Sequence, residues 1–136
     1  MTKFNVPLII NFKRNGDSSM GYISIAEEQS QIPFEIKRIF WTYYTPEEVI
    51  RGKHAHHLTE MVLIAAAGSI TVKTELIDGS IQEFILDKPD KGLYIPIMCW
   101  HTMQYSHNAV QIVIASSLYD ENDYIRSYDQ FKTQQV

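Results

Sequence analysis

Short runs of β-branched and aromatic residues, separated by turn chemistry at intervals of about eight to twelve residues, constrain the fold of this chain more than anything else in it. Leu8 to Phe12 is apolar and runs into Lys13-Arg14-Asn15-Gly16-Asp17, a cluster that reads as a turn. Tyr22 to Ala26 opens a second strand. Ile36 to Tyr44 reads as a long strand closed by Thr45-Pro46-Glu47-Glu48. No Gly or Pro interrupts His54 to Ala66, and beyond Gly68 the stretch Ile70 to Glu75 alternates cleanly. Asp78-Gly79, between Thr74–Ile77 and Ile81–Leu86, is the strongest hairpin signal. Pro89 to Gly92 is a loop, followed by strands over Leu93–Ile97, Trp100–Tyr105 and Val110–Ala115. One helix is predicted at the end. Asp120-Glu121-Asn122-Asp123 suits a helix N-terminus, and Tyr124, Ile125, Tyr128 and Phe131 form an apolar stripe. About nine strands and one terminal helix predict an all-β jelly-roll β-barrel or sandwich with a short C-terminal helix.

The 136 residues, 45% apolar and 21% charged, read as one folded domain over 1–136 and exclude a disordered or low-complexity chain. A single cysteine, Cys99, excludes an intrachain disulfide and fits a reducing compartment, the cytoplasm. A net charge of −4 argues against a general nucleic-acid grip. The longest apolar runs, Val6–Ile10 and Met61–Ala67, fall far short of the roughly 20 residues of a membrane span, and no signal peptide is read. Neither nucleic acid nor membrane is therefore expected as a partner.

The chemistry concentrates in Arg51-Gly52-Lys53-His54-Ala55-His56-His57-Leu58-Thr59-Glu60, with Trp100-His101 further on. On a strand, His54 and His56 point the same way, about 6.6 Å apart. If the strand continues unbent, Glu60 shares their face and His57 takes the other. Two imidazoles and a carboxylate in one enclosed space are costly to bury without partners. Three readings stay open at this point. The histidines are surface or capping residues. Alternatively, His54, His56, Glu60 and His101 form a three-His, one-carboxylate metal set, as in a metal-dependent dioxygenase-like enzyme. Or the two histidines do metal-free acid–base chemistry near neutral pH. Spacing does not separate the last two.

Arg51-Gly52-Lys53-His54-Ala55-His56 resembles the Arg-Gly-x-His-Ala-His signature of the dTDP-4-keto-6-deoxyglucose 3,4-ketoisomerases, cupin-fold enzymes of the WxcM-like group. Other stretches agree in the same order: Ile32-Pro33-Phe34 with Ile36-Lys37-Arg38, Gly92-Leu93-Tyr94, Trp100-His101, and a tail from Tyr119-Asp120-Glu121 through Asp123-Tyr124-Ile125-Arg126 to Tyr128. The resemblance runs from about Asn11 to Phe131. It implies a cupin-type jelly roll, a homodimer with strand exchange, and no metal or other cofactor. It implies that His54 and His56 are the catalytic pair, moving the ketone of dTDP-4-keto-6-deoxyglucose from C4 to C3. The product would feed the synthesis of 3-amino-3,6-dideoxy sugars for O-antigen or S-layer glycans. Three positions depart from the family pattern: Met20-Gly21 stands where relatives often carry Arg-Gly, His57 where Lys is common, and Phe40-Trp41-Thr42-Tyr43 is atypical.

In such a reaction the C3 hydrogen lies next to the C4 ketone, so its removal gives an enediolate. The expected assignment has His56 carry the proton from C3 to C4 and His54 exchange protons with O3 and O4, with the roles interchangeable, and Glu60 orienting a ring. Arg51 is the first candidate for the diphosphate, because its fork matches phosphate oxygens, and Gly52 permits close backbone approach. Arg38 is a weaker candidate that serves equally well as a structural ion-pair residue. Trp100 and Tyr43, with Trp41, are candidate shelves for thymine, although strand aromatics more often belong to a core. His101 is either a third polar group of the cavity or a satisfied core histidine, and Cys99 reads as buried and inert. The acidic tail reads as a helix cap. A 3,5-epimerase on the same sugar nucleotide is disfavoured because no histidine–aspartate arrangement is recognisable. A non-catalytic sugar-binding cupin is disfavoured because binding alone rarely needs two adjacent titratable groups.

Overall fold

The computed structural model describes residues 4–134. Its strands are β1 (Leu8–Asn11), β2 (Lys13–Asp17), β3 (Gly21–Ile25), β4 (Arg38–Tyr43), β5 (Ile50–His56), β6 (Met61–Ala67), β7 (Ile70–Leu76), β8 (Ile81–Leu86), β9 (Lys91–Ile95), β10 (Cys99–Tyr105), β11 (Val110–Ala115) and β12 (Tyr124–Ile125), followed by helix α1 (Tyr128–Lys132). Two five-stranded sheets, in the orders β1-β9-β6-β11-β4 and β12-β5-β10-β7-β8, face each other, and β2-β3 forms a separate ribbon. This is the expected all-β jelly roll with a short terminal helix. The two sheets stay a sandwich: among the described residues no hydrogen-bonded ladder joins their edges into a closed barrel. No helix among the described residues is long and apolar enough to cross a membrane.

Strand alternation divides the apolar residues between two cores. Met61, Leu63 and Ala65 of β6 meet Ile70, Val72, Met103 and Tyr105 of the opposite sheet, with Val113 and Ala115 beside them. Their neighbours Val62, Tyr94 and Ile114 face the other way, under Phe12, Ile32 and Phe34. A third, smaller cluster of Ala55, Ile125 and Phe131, with Trp100 against it, is covered by the chain's last turns.

The Asp78-Gly79 hairpin forms as expected between β7 and β8, Gly79 taking a positive φ of 91°. Three expectations are corrected. Lys13–Asp17 is strand β2 rather than a turn. The reversal comes just after it, where the Asp17 carboxylate accepts N–H bonds from Ser19 and Met20. The uninterrupted stretch from His54 splits, because β5 ends at His56 and β6 starts at Met61. The terminal helix begins only at Tyr128, capped by the Ser127 side chain. Tyr124 and Ile125 are instead a strand, paired with His56 and Ala55. Edge pairing with β5 satisfies their backbone and buries Ile125, which outweighs the weak helical pattern.

Candidate functional site

Between the sheets lies a cavity of about 210 Å³. Its walls come from β4, β5, β6, β10, β11 and β12, and its chemistry comes from Arg51, His54, His56, His101, Tyr124 and Arg126.

Strand alternation alone puts Arg51 on the face opposite His54, yet both line the cavity. A β-bulge makes this possible. Opposite β10, His54 pairs with His101, Gly52 with Thr102 and Arg51 with Met103, so Lys53 is an extra residue without a partner. Gly52 and Lys53 carry φ values of 83° and 61°. A Cβ on Gly52 would lie 2.8 Å from the His101 carbonyl oxygen, so glycine is needed both for its backbone and for the close approach of β10. The extra residue turns Arg51 back onto the imidazole face.

Three imidazoles then cluster. The His54 ring centroid lies 5.1 Å from that of His56 and 4.7 Å from that of His101. Each ring is fixed at Nδ1. His54 Nδ1 donates to the Gly52 carbonyl (3.1 Å), His101 Nδ1 to the Cys99 carbonyl (3.0 Å), and His56 Nδ1 to Asp123 Oδ2 (3.0 Å). With Nδ1 protonated, the neutral ring carries its lone pair on Nε2. His56 Nε2 is buried and has no hydrogen-bond partner among the described residues. The His54 ring is the more open of the pair, half-buried where His56 is buried. Burial, reinforced by His101 and His56, pushes His54 down to about 2. Burial, opposed by the Cys99 carbonyl, takes His101 to about 4. His56 is also lowered by burial, but Asp123 opposes the shift. All three rings are therefore neutral at physiological pH and able to accept a proton.

Tyr124 covers this cluster, its ring centroid 5.1 Å from His54 and 4.3 Å from His56. The Arg126 guanidinium stacks 4.2 Å from the Tyr124 ring and pairs with Glu121 at 2.6 Å. Elsewhere in the cavity, Tyr105 donates to Gln111 Oε1 at 2.7 Å, and burial raises the Tyr105 hydroxyl to about 12.

Arg51, Gly52, His54, His56 and His101 thus border one cavity, and for His101, which the sequence left open between cavity and core, the structure places the ring at the cavity wall. Five other candidate site residues do not line it. Glu60 follows the break after β5, which resets the alternation, and its carboxylate accepts the Tyr94 hydroxyl at 2.6 Å, away from the imidazoles. Trp100 packs on Tyr128 and Phe131 beneath α1. Tyr43 points outward from β4, 54% exposed, as does Trp41. Arg38 faces inward and its charge opposes protonation of His56, but its guanidinium lies near the Phe40 and Tyr119 rings and does not border the cavity. With Glu60 elsewhere, the ligand set weighed for a metal does not converge. Among the described residues no group of three or more His, Cys, Asp or Glu side chains is arranged to hold an ion. Cys99 is buried, its thiol raised to about 12, which agrees with the inert reading. Sequence reasoning missed Asp123, Tyr124 and Arg126. It read Asp120–Asp123 as a cap, whereas Asp120 caps a single turn of 3₁₀ helix and Asp123 bonds His56. A histidine–aspartate pair is present after all, its members 67 residues apart. The only signal for it was the tail motif of the family resemblance.

The profile of the FdtA family, described as WxcM-like, C-terminal, matches residues 5–135. The chain belongs to this family. It is 46% identical over 126 residues to the TDP-4-oxo-6-deoxy-alpha-D-glucose-3,4-oxoisomerase of Aneurinibacillus thermoaerophilus, covering 91% of this chain and 88% of the relative. The crystal structure of a 3,4-ketoisomerase from Helicobacter canadensis superposes with a TM-score of 0.88 at 38% identity, covering 95% and 96% of the two chains. A histidine-to-asparagine mutant of the 3,4-ketoisomerase QdtA from Thermoanaerobacterium thermosaccharolyticum, solved with TDP-4-keto-6-deoxyglucose, superposes with a TM-score of 0.87 at 33% identity, covering 93% and 91%. Family membership extends over every element that lines the cavity.

Proposed function

We propose that this chain is a sugar-nucleotide 3,4-ketoisomerase converting TDP-4-keto-6-deoxyglucose to a TDP-3-keto-6-deoxyhexose, an intermediate for 3-amino-3,6-dideoxy sugars. The observation that carries the reading is the His54–His56–His101 cluster, each ring tied at Nδ1 and neutral, inside one cavity of a family member. The net change moves one hydrogen from C3 to C4 and one proton from O3 to O4. Two proton carriers are therefore needed, one at carbon and one at oxygen. We assign the carbon step to His54, because it is the ring the cavity exposes. This reverses the division of roles expected from sequence. His54 Nε2 takes the C3 proton, and the imidazolium so formed is stabilised by the enediolate it creates, until the proton is returned to C4. His56 serves the oxygens: its buried, unpartnered Nε2 gains the hydrogen bond it lacks when a substrate oxygen enters. Arg51 and Arg126, both exposed and bordering the cavity, supply positive charge for the diphosphate.

Incubation with TDP-4-keto-6-deoxyglucose in D₂O, followed by NMR, tests the function. Deuterium entering at C3 or C4 with a new 3-keto signal is expected, and a spectrum unchanged while TDP binds would refute it. In His54→Asn, carbon exchange should vanish with TDP binding retained. Persistent exchange would return the carbon step to His56.

A second copy of the chain is part of the proposal. The β2-β3 ribbon is exposed at every residue, including Tyr22, Ile23 and Ile25, and isolated ribbons of this kind are marginal in water. Strand β4 is an unpaired sheet edge displaying Ile39, Trp41 and Tyr43. Exchange of the ribbon onto the β4 edge of a partner would cover both, giving twice the 15.8 kDa chain mass in light scattering. A monomer at micromolar concentration would refute it. The lone Cys99 and a nucleotide-sugar substrate support a cytoplasmic location.

A further inference from the structure

We propose that Asp123 is a positioning residue that sets the tautomer of His56 and thereby the direction of proton transfer at the substrate oxygens; this rests on the ketoisomerase reading above. The carboxylate is buried, 8% exposed, and all its bonding capacity is directed at the segment that leaves β5. Oδ2 accepts His56 Nδ1–H at 3.0 Å and the Thr59 hydroxyl, and Oδ1 accepts the Leu58 N–H at 2.6 Å. The backbone joins in: the Asp123 carbonyl accepts the His57 N–H at 2.9 Å, and Tyr124 pairs with His56. One side chain thus clamps the ring and the turn that follows it. With an ionised carboxylate at Nδ1 the ring can only donate there, so Nε2 is an acceptor. This Nε2 is one of two buried side-chain nitrogens without a partner among the described residues. Such an acceptor can take the O3 proton at the start of the reaction. A ring of the opposite tautomer would present N–H to the same oxygen and could not. His54 and His101 are held by carbonyls, which fix a tautomer but add no negative charge. Only the His56 ring has an anion behind it, so among the three it is the one best able to hold a proton transiently.

The test is Asp123→Asn. The amide oxygen still accepts the Leu58 N–H, but the amide nitrogen now faces Nδ1 of His56, which must turn acceptor and move its proton to Nε2. Long-range ¹H–¹⁵N spectra of the ligand-free protein, assigned with His56→Asn, should show His56 as the Nδ1–H form in the parent and the Nε2–H form in Asp123→Asn. Turnover should fall at least about 100-fold, with KM and TDP affinity within about threefold. An unchanged tautomer, or full turnover in the variant, would overturn the proposal. If Asp123→Asn does not fold, Thr59→Val decides. Loss of one donor leaves the carboxylate a stronger acceptor for His56, so the Nδ1–H form must persist with turnover within about tenfold, and its loss would overturn the proposal. The tautomer readout needs no substrate. A parent enzyme that fails to isomerise the sugar would therefore sink the functional reading without deciding the His56 tautomer.

Discussion

Lowering the pH from 7 to 5 should cost this fold about 3 kcal/mol, and the loss should come from its neutral imidazoles. His101 is 1% exposed and its pKa lies near 4 in the folded chain, against an ordinary value of 6.5. His54 is depressed further, to about 2. Below pH 6.5 the unfolded chain binds protons that the folded one refuses, so stability rises with pH across this window and is lost as pH falls through it. The loss from His101 is complete only near its folded value of about 4. Each such histidine contributes about 1.4 kcal/mol per pH unit once the pH is well below 6.5. By pH 5 that is about 2 kcal/mol for His101 and about 1 for His54, whose ring borders the open cavity and is partly screened. Against a typical total of 5–15 kcal/mol, the change is large. Asp17, Asp78 and Glu121 are held below ordinary carboxylate values by their hydrogen bonds, so their contribution is lost only at more acid pH. Urea unfolding at pH 7, 6 and 5, followed by tryptophan fluorescence, measures the slope. In His101→Asn about two-thirds of the pH dependence should disappear. Stability flat from pH 7 to 5, or the same slope in His101→Asn, would refute the reasoning.

Three substitutions probe the architecture around the site. Gly52→Ala should cost about 1–2 kcal/mol for the left-handed backbone alone and weaken TDP binding, since the new Cβ pushes β10 off the bulge that aims Arg51; calorimetry showing unchanged stability and affinity would count against the bulge. Tyr94→Phe removes the donor to buried Glu60 and should destabilise by about 1–3 kcal/mol with kcat unchanged. A fall in kcat without loss of stability would bring Glu60 back to the reaction. Trp100→Ala should loosen α1, at about 2–3 kcal/mol in thermal unfolding, and leave TDP affinity within twofold.

The strand pattern was legible because alternation and turn chemistry are local. Ile70–Glu75, the Asp78-Gly79 reversal and Val110–Ala115 all form where the residues indicate. Local pattern misled where pairing overrode it. Lys13–Asp17 has turn composition yet lies in a ribbon, and Tyr124-Ile125 has a helical stripe yet completes the edge beside β5. The site divided in the same way. His54 and His56 share a face because they stand two positions apart on one strand, with Ala55 between them, and one strand of unbroken geometry sufficed to read that. The inference failed at Glu60, beyond the end of β5, because a break of a few residues erases face parity.

Residue order alone determined the all-β strand-and-turn pattern and the placing of two imidazoles on one strand face, since each depends on relations a few residues long. Tertiary structure decided which aromatics face outward, that a bulge at Lys53 returns Arg51 to the imidazole face, and that Asp123 closes on His56 from 67 residues away. Those outcomes depend on which strands become neighbours and in what register. Such pairings are fixed by the burial of both sheet faces at once, which no short window of sequence contains.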